Sequence, residues 1–506
     1  MEEHRGGWSA EARPGHRQMS PPGPNSERIS GVGRHGLHAT RLVSHRLDRR
    51  VKPRTCEACL VQSQRDYVLR TVEERGVRFV QLWFTDVLGT PKGFNITSAE
   101  LENALDEGMT FDGSAIDGFS RVQEADVLAR PDLKTFQLLP WHDDDSSVAR
   151  VFCDIANLDG TPFGGDPRHV LRRTLGRARA AGYTFFAAPE IEYFYFADAN
   201  PGHGQAPQAL DSGSYFDLSV ADVTSDLRRR SVLMLEEMGI PVEHTQHEDA
   251  RSQHEIDLRY TDALTMADTV MTTRMVIKEM ARRDGVFASF MPKPLAGVQG
   301  SGLHTHISLW EGERNAFVDE DDEYGLSDVA RQFIAGLLHH AREITAVTNQ
   351  WVNSYKRLIG GYEAPVHVSW ARNNRSALVR VPVVKHGKVE STRLEYRAPD
   401  SACNPYLAFS VILAAGLRGI TEGYPLPPEA DANLFALSDR ELGEKHIESL
   451  PSSLHDAVNE MERSELLADT LGDHVFEWFI RNKRAEWNDY QSQVTQFELD
   501  RYLPLL

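Results

Sequence analysis

An α+β fold in two parts, behind a structureless arm, is what the sequence predicts. Three observations lead to it. The composition changes abruptly near residue 60, from Arg, Gly, Pro, His and Ser to patterned apolar sequence. Phe185 to Phe196 is too aromatic and β-branched for a helix interior, carries Pro189, and reads as a strand. Helices of apolar period then alternate with short strand-like runs without regular βαβ spacing, which points to a largely antiparallel sheet.

Residues 1 to about 60 hold few large apolar side chains and show no periodicity. Residues 1–55 contain 11 Lys+Arg and 5 Asp+Glu, a net +6, which leaves −25 of the total −19 for the rest. Such a segment cannot bury enough apolar surface to offset chain entropy and should be disordered. Its arginines resemble those of a transit peptide, although Glu2, Glu3 and Glu11 do not; a start codon placed too far upstream explains the arm equally well.

From about residue 61 to 165 the sequence predicts a small α+β unit. Tyr67 to Glu74 suits an amphipathic helix, Val77 to Phe84 a strand, and Thr85 to Gly89 a turn leading into a returning strand over Lys92 to Ile96. A short helix over Leu101 to Glu107 follows, with strands at Phe136 to Trp141 and Val148 to Asp154. Phe111-Asp112-Gly113-Ser114 reads as an acid-bearing loop.

The second unit, residues 166 to 506, opens on Asp166-Pro167, an N-cap with proline at the first helical position. Helices are expected over Val170 to Ala181, Ser225 to Met238, Ala263 to Arg283 and Leu326 to Val347. Strands are expected at Glu255 to Leu258, Ala288 to Pro292, His304 to Leu309, Ala377 to Val381 and Arg393 to Arg397, with mostly helix after Leu407.

A net charge of −19 argues against nucleic acid or an anionic membrane as a main partner. No apolar run suggests a transmembrane helix or a secretory signal. The four cysteines, Cys56, Cys59, Cys153 and Cys403, make no disulfide framework, so a reducing, cytoplasmic setting is expected.

The chemistry lies on strands. Side chains alternate along a strand, so Glu190 and Glu192 share one face while Ile191 and Tyr193 take the other. Paired acids on an apolar strand are costly unless something cationic lies beside them. His304, His306 and Ser308 likewise share a face, as do Arg393, Glu395 and Arg397. Glu248 and Glu255 flank a probable loop. Carboxylates outnumbering imidazoles suit hard divalent cations such as Mg²⁺ or Mn²⁺, and so many acids suit two ions, an arrangement used in phosphoryl transfer. Arg357, Arg375, Arg380, Arg393 and Arg397 supply guanidinium groups for phosphate or carboxylate. No P-loop or dinucleotide fingerprint is present, so a nucleotide would be held by metals and arginines. Glu363, between Gly361 and Pro365, reads as an acid on a mobile loop.

Phe111-Asp112-Gly113-Ser114, Pro189-Glu190-Ile191-Glu192, Gly302-Leu303-His304-Thr305-His306, Asn353-Ser354-Tyr355-Lys356-Arg357-Leu358, Tyr362-Glu363-Ala364-Pro365, Asn374-Arg375-Ser376-Ala377 and Asn404-Pro405-Tyr406-Leu407 together resemble the motifs of bacterial class I glutamine synthetases. The resemblance runs from about Arg65 to Leu506. It implies an N-terminal β-grasp domain, a catalytic α/β domain with a curved, largely antiparallel sheet, and a dodecamer of two hexameric rings. It also implies ATP-dependent joining of ammonium to L-glutamate through γ-glutamyl phosphate, with two Mg²⁺ or Mn²⁺ ions per site. By motif, Glu192, Glu248 and Glu255 would hold one ion, and Glu190, His304 and Glu395 the other. Arg357 and Arg397, with Tyr215, Gln299 and Gly300, would bind glutamate; His306, Ser308, Arg380 and Arg393 the nucleotide. Arg375 would stabilise the transferring phosphoryl group, Asp112 of the adjacent subunit would deprotonate ammonium, and Glu363 would close a flap.

The chain departs from the family pattern in four places: Ala115 replaces a serine near the ammonium, Gln299 an asparagine, and Gln246-His247-Glu248-Asp249-Ala250 a His-His-Glu-Val-Ala run. Phe435 replaces the tyrosine that some relatives adenylylate, so that control should be absent. The changes near the ammonium leave γ-glutamyl-amine ligation as an alternative, and an inactive regulatory or structural member as a remoter one. Retention of Asp112 and Tyr215 favours ammonium.

Overall fold

The computed structural model describes residues 57–118, 126–142, 147–202, 205–219, 222–361, 363–430 and 434–506. The arm expected over residues 1–60 lies outside them, apart from 57–60. Those four residues open helix α1 (Glu57–Glu74), so structure begins earlier than composition suggested. Val68 and Val72, one helical turn apart, are buried against the first core and anchor α1 there.

The first sheet contains β1 (Val77–Thr85), β2 (Pro91–Thr97), β3 (Met109–Asp112), β4 (Asp126–Pro131), β5 (Gln137–Leu138) and β6 (Ser147–Ala156). Its order is β2-β1-β6-β4-β3, with β5 beside β6; β1 and β6 run parallel and the other pairs antiparallel. Helix α2 (Leu101–Asp106) contributes Leu101 and Ala104 to the core. Two expectations change here. Asp112 ends a strand rather than lying in a loop, and its carboxylate caps the following turn by accepting from Ser114 N at 3.0 Å. Of the strand expected over Phe136 to Trp141, only Gln137 and Leu138 pair.

Helix α3 (Pro167–Ala180) begins as the Asp-Pro pair dictates: Asp166 accepts from Arg168 N at 2.9 Å, and Pro167 lacks the N–H that would have no helical partner. The second sheet comprises β7 (Thr184–Phe196), β8 (Val242–His247), β9 (Gln253–Leu258), β10 (Thr261–Asp262), β11 (Phe287–Ser289), β12 (Leu303–Glu311), β13 (Arg314–Asn315), β14 (Trp370–Ala371), β15 (Val379–Arg380) and β16 (Leu394–Tyr396). Its order is β14-β15-β16-β12-β7-β9-β8, antiparallel except for β14–β15.

Helices α4 (Ser225–Glu237) and α5 (Ala263–Arg283) fall where the apolar period put them. The single helix expected over Leu326 to Val347 is two, α6 (Asp328–His339) and α7 (Ala341–Thr348), broken at His340 where φ is −99° and ψ 8°. Helix α8 (Ser354–Arg357) is a single turn, and α9 (Pro405–Glu422) is buried over most of its length. Gly336 and Gly419 let α6 and α9 approach backbone to backbone; a Cβ at either would collide with the other helix. No helix among the described residues is long and apolar enough to cross a membrane.

Directed contacts tie the turn after β1 to the second part of the chain, and α3 back to the first. Asn404 donates to Asp86 O (3.2 Å) and Val87 O (3.3 Å), and Gln350 to Leu88 O at 2.7 Å. Arg168, on α3, is 3% exposed at its side chain and reaches Asp132, Asp154 and Asp268 at once.

Candidate active site

The register of the second sheet writes the site as rows. Glu190 stands opposite His304 on one side and Asp257 on the other; Glu192 stands opposite Glu255, which faces Gln246 in turn. Glu395 pairs with His306 and with Arg380. Ile191, Tyr193, Leu303, Ile307, Leu394 and Tyr396, the alternate residues, are buried in the main core and hold these strands in place. The alternation read from the sequence is the one the sheet shows: Glu190 and Glu192 on one face, Ile191 and Tyr193 in the core.

The acids are crowded. Ligand atoms of Glu190, Glu255 and His304 all lie within 4.8 Å of one another, so Glu255 approaches the second of the two expected ligand sets as well as the first. His306 Nε2 is 2.7 Å from Glu190 Oε1, and His304 Nδ1 is 3.2 Å from Glu190 Oε2. Arg357 can only donate, so its 3.3 Å contact makes His304 Nε2 the acceptor and gives the Nδ1 proton to Glu190. Glu192 accepts from Gln253 Nε2 and Gly302 N, each at 2.9 Å. Gln246 Nε2 donates to Glu248 Oε1 and to Glu255 Oε1, again at 2.9 Å each.

Burial opposes charge on Glu190, yet the neighbouring charge of His306 and hydrogen bonds from both histidines hold its carboxyl well below the usual range. Burial, followed by repulsion from Glu192, pushes Glu248 up to about 8. Burial and the charges of Asp257, Glu190, Glu192 and Glu248 raise Glu255 well above its ordinary value. Glu395 is held low against its burial by Arg397, to which it is paired, and by His306; Arg380 Nε lies 2.7 Å from its other oxygen. Four carboxylates packed this closely, two of them held ionised by histidine and arginine and two, Glu248 and Glu255, pushed toward neutrality, are what a site for hard cations looks like without its charge. The oxygen-rich donor set with one imidazole fits Mg²⁺ or Mn²⁺.

The other sequence-derived residues surround this cluster. Arg397 donates to the Glu363 carbonyl at 3.3 Å, and Arg375 Nη1 lies 3.4 Å from Glu363 Oε1. Glu363 has φ 58°, a left-handed conformation that costs a non-glycine residue on the order of 1–3 kcal/mol. Arg393 Nε reaches His306 Nδ1 at 3.3 Å, and Ser308 Oγ accepts from Trp310 Nε1 at 3.0 Å. The Arg375 guanidinium sits 6.0 Å from the Tyr215 ring centre. Gly300 O accepts from Gln253 at 3.1 Å, and a side chain at Gly300 would collide with Pro292 O. Gln299 is half-buried on the same loop. Asp112 and Ala115 belong to the first sheet and its following turn, not to this cluster.

Sequence reasoning passed over several residues that the structure brings here: Gln253, which orients Glu192; Asp257 and His244, 2.9 Å apart on the same face; and the bridging role of Gln246. A polar residue every second position on β8 and β9 was the available signal. It also passed over a buried network behind the site. Asp211, Asp222, His247 and His254 cluster closely enough to suggest a metal. Arg228 occupies His254 Nδ1 at 2.7 Å, however, so that nitrogen accepts and the proton sits on Nε2, beside Thr224. The network is complete without an ion.

A family model for the catalytic domain of glutamine synthetase matches residues 164–502, and one for its beta-grasp domain matches residues 76–158. The chain belongs to the glutamine synthetase family. It is 56% identical over 444 residues to the glutamine synthetase of Mycolicibacterium smegmatis, covering 87% of this chain and 99% of the relative. The glutamine synthetase of Mycobacterium tuberculosis H37Rv is 54% identical over the same shares, and that of Thermotoga maritima 47% over 87% and 99%. Among solved structures, ligand-free GmaS superposes with a TM-score of 0.75 at 34% identity, covering 86% of this chain and 99% of that one. The GmaS complex with ADP gives 0.76 at 33%. The first sheet is thus the β-grasp portion of a glutamine synthetase fold, and the acid-lined sheet belongs to the catalytic portion.

Proposed function

We propose that this chain joins ammonium to the γ-carboxylate of L-glutamate at the expense of ATP, giving L-glutamine, ADP and phosphate. The observation that carries the reading is one sheet face on which six metal-type ligands are ringed by Arg357, Arg375, Arg380, Arg393 and Arg397. In this reading Glu192, Glu248 and Glu255 hold one divalent cation, and Glu190, His304 and Glu395 a second. Cations so held neutralise the oxygens of the transferring phosphoryl group.

The protein's own groups then divide the work. Arg357 and Arg397, with Gly300, Gln299 and Tyr215, bind and orient glutamate. His306, Ser308, Arg380 and Arg393 hold the nucleotide. Arg375 stabilises charge on the phosphoryl group in flight to the γ-carboxylate oxygen. Glu363 closes over the acyl phosphate and keeps water out. Asp112, contributed by a neighbouring subunit of a dodecamer, takes a proton from ammonium so that the free amine attacks the acyl carbon and phosphate leaves. The residues divide near 165 into β-grasp and catalytic domains, a limit supported by the Asp166 cap. The buried free thiols Cys153 and Cys403 suit a cytoplasmic enzyme.

Ala115, in the turn capped by Asp112, supports a second reading in which an organic amine replaces ammonium. Phosphate release with ATP, Mg²⁺ and glutamate, comparing ammonium with putrescine, spermidine and ethanolamine, decides between them. Fast turnover with ammonium alone is expected. Turnover confined to an organic amine would overturn the assignment, and none with any amine would point to an inactive member.

A further inference from the structure

Gln246 is the one neutral side chain placed between two of the carboxylates assigned to the first cation. It is 8% exposed. Its Nε2 gives one N–H to Glu248 Oε1 and the other to Glu255 Oε1, both at 2.9 Å, while its own carbonyl Oε1 is buried with no hydrogen-bond partner. An unmade acceptor in a buried site is costly, so its position calls for a reason. The amide's NH₂ group is acting here as a stand-in for a cation: among the described residues it is the one donor that both carboxylates share.

A divalent ion entering between Glu248 and Glu255 meets that NH₂ end and is repelled by it. The other end of the same group is an uncommitted oxygen of the type that hard cations take. We propose that Gln246 is a ligand of the first cation. Its amide turns end for end when the ion binds, giving Oε1 to the metal and surrendering the two N–H bonds to the carboxylates. The position thereby sets metal preference. An amide oxygen beside three carboxylates makes an all-oxygen site that favours Mg²⁺, whereas a nitrogen ligand at the same place would favour Mn²⁺ and its heavier neighbours. Residue 246 lies on β8 with its side chain already between Glu248 and Glu255, so a change of ligand type needs no backbone change.

This inference rests on the assignment of Glu192, Glu248 and Glu255 to a cation. The test uses the full-length protein without nucleotide or glutamate. Mn²⁺ binding is followed by electron paramagnetic resonance, with Mg²⁺ as competitor, for wild type, Gln246→His, Gln246→Leu and Glu248→Gln. Gln246→His should raise the Mn²⁺ to Mg²⁺ affinity ratio at one site at least about tenfold. Gln246→Leu should weaken both ions there by about 10–100-fold, the range seen when metal-site partners are removed. Unchanged ratio and affinity in both Gln246 variants, with Glu248→Gln losing the ion, would overturn the role of Gln246 alone. Glu248→Gln binding like wild type would instead overturn the cation assignment beneath it. Gln246→His keeps a polar donor for the carboxylates, so it remains informative if the leucine variant does not fold.

Discussion

Replacing Arg168 by Met should cost about 3–5 kcal/mol of stability, the range for leaving a buried charge uncompensated. The structure says which charge. Asp132 and Asp154 each retain Arg172, at 2.6 and 2.9 Å, so they do not lose their only cation. Asp268 is different: its side chain is 8% exposed, it takes two hydrogen bonds from Arg168 at 3.0 and 2.8 Å and one from the Tyr406 hydroxyl at 2.6 Å, and the other buried cation that acts on it, Arg150, does so through space and not by a hydrogen bond. The cost is therefore that of one stranded carboxylate and not three. Asp268→Asn removes the charge while keeping an acceptor for Tyr406, so Arg168→Met/Asp268→Asn should recover more than half of the loss. Urea unfolding at fixed protein concentration, completed as a double-mutant cycle, measures both quantities. A single variant within about 1 kcal/mol of wild type, or a double variant no better than the single, would refute this account of the Arg168 cluster.

Glu363→Ala should still form the acyl phosphate but lose it to water, read as phosphate release exceeding glutamine formation; unchanged coupling would remove Glu363 from the flap role. Burial, helped by Asp154, lifts Asp166 to about 7. A carboxyl raised in the folded state gives stability that is complete below its unfolded value near 4 and is lost as pH climbs through 7. Asp166→Asn should therefore gain on wild type from pH 4 to 7 and level off above; a constant difference across that range would show that Asp166 does not titrate there. Glu248, at about 8, must give up its proton to hold a cation, so Mg²⁺ should raise the melting temperature more at pH 8 than at pH 6. Equal stabilisation at both values would argue that the ion does not use Glu248.

The strands of the active-site face were legible because alternation is local: Glu190 and Glu192 flank Ile191 whatever the rest of the chain does. The cap at Asp166 and the span of α5 were legible for the same reason. What sequence did not show is non-local. Asp112 ends a strand of four residues whose partner, β4, begins only at Asp126, too short a run to stand out from turn chemistry. Arg168 looked like an ordinary first-turn residue, since nothing nearby announces that Asp132 and Asp268 converge on it. Gln246 was noticed as a departure, but a lone amide has no charge pattern, and its meaning came only from the two carboxylates that fold onto it. The break at His340 carries neither proline nor glycine and left no mark in the apolar period.

The strand order has a consequence for how the protein comes into being. Glu190 lies on β7, the first long strand of its sheet to be synthesised, while Glu395 lies on β16, the last, and β12 must slot between them. Pairings this distant along the chain form late, because loop closure comes before the contacts that reward it. A ribosome-bound chain that has not yet exposed β16 already carries Glu190, Glu192, Glu248 and Glu255 but lacks Glu395 and its partner Arg397. In the proposed reading a cation held by Glu192, Glu248 and Glu255 can reward the early strands β7 to β9, whereas one held by Glu190, His304 and Glu395 can reward only the finished sheet and so reports its completion.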